Sequence, residues 1–192
     1  MSNRERFAGY LATIVAGTVM SGCAATTIAV TPSPQSPVCD RDFSALVLWM
    51  PRWRPDQKDV PEREAAAAKG LQTFFDTSGC FARAEIRRLA NGDTASIRAQ
   101  ATSGTGSGKT VFIAVRELGP VVRLLSSAAL VEGGTQVVLD VTEYSPPASM
   151  NPREFSVSWQ NGGPGVIKGV TSLPADMQAA LNAALQPARP AK

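Results

Sequence analysis

The chain contains no histidine. That one absence removes His-based acid–base catalysis, His-containing nucleophile triads and the commonest metal ligand. Aromatic residues are 6% of the chain and charged residues 18%, with no dense basic run, so a net charge of +3 does not argue for nucleic acid. No Gly-x-Ser-x-Gly elbow surrounds Ser103 or Ser107. The stretch Ser103-Gly104-Thr105-Gly106-Ser107-Gly108-Lys109-Thr110 imitates a phosphate-cradling loop, but Ser103 stands where the first glycine belongs. The residues after it, Val111 to Val115, read as strand where that loop needs a helix N-terminus. Asp140 and Glu143 fall on opposite faces of an expected strand and read as solvated, a poor carboxylate pair for glycoside chemistry. No catalytic, metal or nucleotide site and no cofactor is expected.

What is present begins at the N-terminus. Arg4 and Arg6 precede an apolar run, Leu11 to Met20, too short for the roughly 20 residues of a transmembrane helix. Ser21-Gly22-Cys23 then resembles the lipobox of bacterial lipoproteins, with Met20 where that family usually has Leu. The resemblance implies cleavage before Cys23, lipidation of Cys23 and stable membrane attachment, since several acyl chains hold where one alone is marginal. The competing reading is an ordinary secretory signal, cut near Gly22 or Ala25, that leaves Cys23 as a thiol. Ala24 follows Cys23 where an Asp retains lipoproteins at the inner membrane in the enteric pattern, so the resemblance favours the outer membrane, on its periplasmic side. Residues 1–22 carry two arginines and one glutamate, so their removal lowers the net charge from +3 to +2.

Of the three cysteines, assigning Cys23 to lipid leaves Cys39 and Cys80. An oxidising envelope lets them bridge, the alternative being two free thiols. Residues 23–38, rich in Pro, Thr and Ser, read as the lipidated Cys and a tether, with a reach on the order of 45 Å if extended as polyproline. Residues 39–186 read as one domain and 187–192 as a flexible tail.

Within the domain, Phe43 to Trp49 reads as a central strand stopped by Pro51. Ala67, Leu71, Phe74 and Phe75 give one buried face of a helix over 60–77, opened by an Asp59/Glu62 capping box and ended at Gly79. Alternation at 82–87 and 95–101 around Asn91-Gly92 predicts a hairpin. Strands are expected at 110–117, 121–130 and 136–144, with a turn at Glu132-Gly133-Gly134 between the last two. Another strand carries Phe155, Val157 and Trp159 and breaks at Asn161 to Gly165. A final helix follows Ser172, with Met177, Ala180, Leu181, Ala184 and Leu185 on its apolar face. This order predicts an α+β fold, a mostly antiparallel sheet with two helices packed on one face. The layout over 43–186 is similar to that of the auxiliary lipoproteins of ABC-type lipid transport systems.

The candidate partner contact is Arg52, Trp53 and Arg54. Tryptophan and arginine are enriched at binding hot spots, and an indole between two guanidinium groups is hard to bury. Trp49 is assigned to the core. The expected function is a membrane-anchored, non-catalytic accessory or scaffold with a protein partner in the envelope and no nucleic acid or nucleotide. The alternative is a carrier or weak hydrolase acting on lipid or cell wall.

Overall fold

The computed structural model describes residues 24–33, 35–90, 99, 108–125, 130–145 and 152–186. Its elements run β1 (Ala25–Thr31), β2 (Asp40–Pro51), α1 (Val60–Thr77), β3 (Phe81–Arg88), β4 (Lys109–Leu125), β5 (Leu130–Tyr144), β6 (Arg153–Pro164), a 3-10 turn (Val170–Ser172) and α2 (Leu173–Leu185). Six strands form one sheet in the order β1-β6-β5-β4-β2-β3. Pairing is antiparallel from β1 through β4, while β2 runs parallel to both β4 and β3. The fold is α+β, as the element order predicts.

Both helices pack on one face. Val47, Trp49, Val111, Ile113, Val115, Leu139 and Val157 project from the sheet into the same cluster as Leu71, Phe74, Met177, Leu181 and Leu185. The α1 stripe at Ala67, Leu71, Phe74 and Phe75 is buried as its spacing requires. Gly70 lets the helices touch, because a Cβ there would sit 2.6 Å from the Met177 Cβ and 2.8 Å from the Pro174 carbonyl oxygen. On the opposite face Leu48, Met50, Phe112 and Ala114 form a smaller buried cluster.

Several sequence expectations are corrected. Residues 25–31 are not a free tether but the edge strand β1, paired along its length with β6. Its alternating Thr26, Ile28 and Val30 favour extended backbone, and Pro32, which has no N–H to donate, follows its last residue. Leu118-Gly119-Pro120 does not split the next strand: β4 bulges between Val115 and Glu117, where its pairing with β2 ends, and runs on through Pro120 paired with β5. Gly133-Gly134 is no turn. It lies within β5, opposite Gly163-Gly162 of β6, which itself continues to Pro164 before Gly165 turns at φ +74°. A Cβ on Gly162 would meet the Gly134 Cα at 2.6 Å, so these glycines serve close strand approach rather than reversal.

Asp59 makes no side-chain cap; it adopts the left-handed region at φ 54° and its carbonyl accepts the Arg63 N–H. Ser172 is αR and likewise makes no side-chain bond to a helix N–H; its hydroxyl lies between the Gly169 carbonyl and the Asp176 carboxylate, within hydrogen-bond distance of both. Gly79, at φ +60°, stands just past the end of α1 as its position suggests. β3 pairs with β2 in parallel. The second strand of the expected hairpin lies outside the described residues except Ala99, which is helical.

Candidate functional site

The end of β2 sorts the predicted trio by strand alternation. Trp49 faces the helices, so Met50 and Arg52 face the other way. The exposed Arg52 guanidinium lies 5.9 Å from the centre of the Phe112 ring. Trp53 turns back into the helix-side core, where it is half-buried and its indole N–H is buried without an acceptor among the described residues. Arg54 reaches sideways to Glu117 at 3.3 Å and Asp56 at 3.7 Å. The structure therefore does not bring Arg52, Trp53 and Arg54 into one surface patch. A trio in sequence is split three ways because the strand ends within it.

Arg54 belongs to a second arrangement that builds the loop between β2 and α1. Arg63, buried in the first turn of α1, donates from Nε to the Lys58 carbonyl at 2.7 Å. Its Nη1 donates to Glu117 at 3.2 Å and the Leu118 carbonyl at 2.6 Å. Gly119 makes room for that guanidinium: a Cβ there would fall 1.5 Å from it. Gln57 adds a 2.7 Å bond to Glu117. A buried guanidinium with matched acceptors is a structural clamp, and this one ties the β2–α1 loop and the first turn of α1 to β4 at Glu117 and Leu118.

Arg52 stands on a groove of about 500 Å³ lined by Thr31, Phe112, Arg116, Asp140, Tyr144, Glu154 and Ser156 among others. Phe112 and Tyr144 are buried beneath it. Arg116 pairs with Asp140 at 3.0 Å, and the Ser156 hydroxyl donates to the other Asp140 oxygen at 2.6 Å. Glu154 is exposed. The groove thus offers two guanidinium groups, two carboxylates and a hydroxyl over aromatic rings, a surface suited to polar recognition. Its Ser156 hydroxyl is hydrogen-bonded to a carboxylate that Arg116 also engages. Among the described residues no group of three His, Cys, Asp or Glu could hold a metal ion.

The sequence singles out Arg52 by residue type, together with Trp53 and Arg54; it carries no signal for Arg116 or Ser156, and Asp140 reads as solvated. These come from three adjacent strands, and only the register of β4, β5 and β6 brings them together.

Asp140 and Glu143 do face opposite sides, but Glu143 is not solvated. Buried on the helix side, it takes Lys109 at 3.1 Å and is also paired with Arg153. Lys109 itself opens β4, so the imitation of a phosphate loop leads into a strand; residues 103–107 lie outside the described residues. Cys39 and Cys80 are joined, with Cα atoms 4.5 Å apart. Cys23, the signal over 1–22 and the tail over 187–192 also lie outside the described residues. No described helix is long and apolar enough to cross a membrane.

No protein-family model and no curated protein matches the chain. Among solved structures, a variant PelC dodecamer from Paraburkholderia phytofirmans is similar at TM-score 0.42 and 14% identity, over 83% of this chain and 95% of that one. A homologue of the neuraminyllactose-binding hemagglutinin from Helicobacter pylori gives 0.38 and 11%, over 80% and 88%. A minor lipoprotein from Acinetobacter baumannii gives 0.32 and 12%, over 77% and 91%. Likeness at this level says nothing of what the chain binds.

Proposed function

We propose that the chain is a lipid-anchored, non-catalytic accessory module of the bacterial envelope that recruits a protein partner through the Arg52 groove. Anchorage rests on Cys23 and its lipobox-like context. The observation that carries the recognition role is the exposed Arg52 guanidinium, over the Phe112 ring, beside a mixed-charge groove. Arginine over an aromatic ring, next to paired charges, is a surface for directed hydrogen bonds with a polar partner segment. Outer-membrane residence, periplasmic side, follows from Ala24 within the same proposal.

A lipid carrier would need an enclosed apolar chamber. The space between helices and sheet is filled by Leu71, Phe74, Ile113, Leu139, Met177 and Leu181, each at most 1% exposed, which supports the accessory reading over the carrier one. The test is crosslinking in living cells with mass spectrometry, comparing wild type, Cys23→Ala and Arg52→Glu. The expected result is one protein captured by wild type and lost in both variants. Capture undiminished by Arg52→Glu overturns the groove as the contact. Capture of glycan or lipid with no protein overturns the accessory role.

A further inference from the structure

We infer that the connection from β6 to α2 is a bilayer-contacting loop, with Ile167 as its inserted residue, so that the domain rests on the membrane by the end of the sheet where β1 begins. The inference rests on the proposed lipidation of Cys23 and goes beyond it by assigning an orientation.

Four observations converge. The first is where the anchor must attach. Ala25 is already the opening residue of β1, hydrogen-bond neighbour to β6 at Gly162. Two residues from Ala25 back to Cys23 extend at most ~7 Å at about 3.5 Å each. With no tether between anchor and sheet, a lipidated Cys23 draws this end of the sheet to the headgroups.

The second is the distribution of exposed apolar side chains. The large hydrophobic residues exposed among those described are Ile28, Ile167 and Val170, at 50%, 95% and 43%. Ile28 is on β1 itself, with Trp159 as strand partner. Ile167 and Val170 lie on the connection that leaves β6 just past Gly162. Scattered single hydrophobics are ordinary on a surface, but these belong to the two chain segments flanking the anchor point.

The third is that the loop is held while its apolar side chain is not covered. The Val166 N–H donates to the Gly163 carbonyl at 3.2 Å, and the Val166 oxygen packs on Gly133, where a Cβ would sit 2.0 Å away. Lys168 pairs with Asp176 at 2.6 Å, its ammonium 5.8 Å from the centre of the Trp159 ring. The Ser172 hydroxyl donates to the Gly169 carbonyl at 3.0 Å. Residues on both sides of Ile167 are thus fastened to the sheet and to α2, and Ile167 projects furthest, with Val170 also exposed. A side chain pre-positioned in this way loses little freedom on insertion and removes its apolar surface from water.

The fourth is the opposite end. The disulfide, the Lys109–Glu143–Arg153 group and the segment just before β2 all lie at the end where β2, β4 and β6 begin, and no exposed large hydrophobic residue is described there.

The test uses the full chain, processed in cells, purified in detergent and placed in vesicles of phosphatidylethanolamine and phosphatidylglycerol. Ile167→Cys and, as a control on β2 at the far end, Asp42→Cys are each labelled with a nitroxide; both native positions are exposed, so neither change disturbs the core. Flotation with the vesicles, lost in Cys23→Ala, reports the anchor. Collision with an aqueous paramagnetic quencher reports depth. The expected result is flotation with several-fold lower aqueous collision at 167 than at 42. Flotation with equal collision at both sites overturns the loop contact and leaves the anchor standing. Failure to float, with an unmodified Cys23 by mass, overturns the anchor and the orientation together.

Discussion

At the end of the sheet where β2, β3, β4 and β6 begin, neighbouring segments are tied by side chains. Cys39 is bonded to Cys80, Glu143 gathers Lys109 and Arg153, and Arg153 also donates to the Ser36 carbonyl at 2.8 Å. The Val38 and Cys39 N–H groups finish α2 by donating to the Leu185 carbonyl at 2.9 and 3.2 Å. At the end where β1 and β5 begin the side-chain ties are fewer: Lys168 of the β6–α2 connection pairs with Asp176 at 2.6 Å, and the Asn161 amide donates to the Thr26 hydroxyl at 2.8 Å. Gly133, Gly134, Gly162 and Gly163 bring β5 and β6 together backbone to backbone, and β1 closes the edge with exposed side chains. One end is fixed by a disulfide and a group of charged links, the other chiefly by the close approach of strands at glycines. Under the proposed anchorage the second end is the one that meets the bilayer, a smooth edge beside a fastened loop.

The sharpest way to break this contrast is to cut the disulfide. Cys39→Ser with Cys80→Ser should lower the unfolding free energy by about 4 kcal/mol in the chain-entropy model, since the bridge spans 41 residues of sequence. Urea unfolding of the double variant against wild type measures it. A loss under about 1 kcal/mol, the size of an ordinary surface effect, means the charged group alone holds that end.

Next in size is Glu143. Its carboxylate is buried, and Glu143→Leu leaves Lys109 and Arg153 without it at a site where Lys109 is only 12% exposed. Breaking a buried pair by removing one member costs about 3 kcal/mol. Adding Lys109→Met should recover part of the loss, because an apolar pair needs no partner charge. A double-mutant cycle in the same unfolding assay checks this, with a coupling of about 1 kcal/mol or more expected. Additive losses would mean that the two residues act independently.

How far the contrast is legible in the sequence follows from the same chemistry. Helix α1 is legible because Ala67, Leu71, Phe74 and Phe75 repeat at helical spacing, and α2 likewise from Met177, Ala180, Leu181, Ala184 and Leu185. The Cys39–Cys80 pairing is legible by arithmetic once Cys23 is set aside. The smooth end is not, since glycine pairs carry the same letters in a turn and in a close strand crossing; only the partner strand decides between them. Pro120 misleads for a related reason: the pairing of β4 with β2 ends at Val115, so at Pro120 the strand pairs with β5 alone and tolerates a residue without an N–H. The groove is illegible for a third reason. Arg52, Arg116, Asp140 and Ser156 are distant in sequence and meet only through register, and Glu143 reads as solvated until its two cations arrive from β4 and β6.

The smallest expected effect tests the smooth end directly. In Gly162→Ala the new Cβ would lie 2.3 Å from the Gly133 carbonyl oxygen and 2.6 Å from the Gly134 Cα. Neither atom is the tip of a flexible side chain, so the backbones of β5 and β6 must separate. Overpacking of this kind costs about 2 kcal/mol. Because β1 is bonded to the sheet through β6 alone, Gly162 opposite Ala25 and Ser156 opposite Thr31, separation at Gly162 loosens β1 as well. Hydrogen exchange should therefore show faster exchange in 25–31 and 133–138, while 40–50, held between β3 and β4 and next to the disulfide, stays protected. Uniform loss of protection across both stretches would mean that the sheet opens as one unit, and that the two ends differ in how they are joined but not in how they yield.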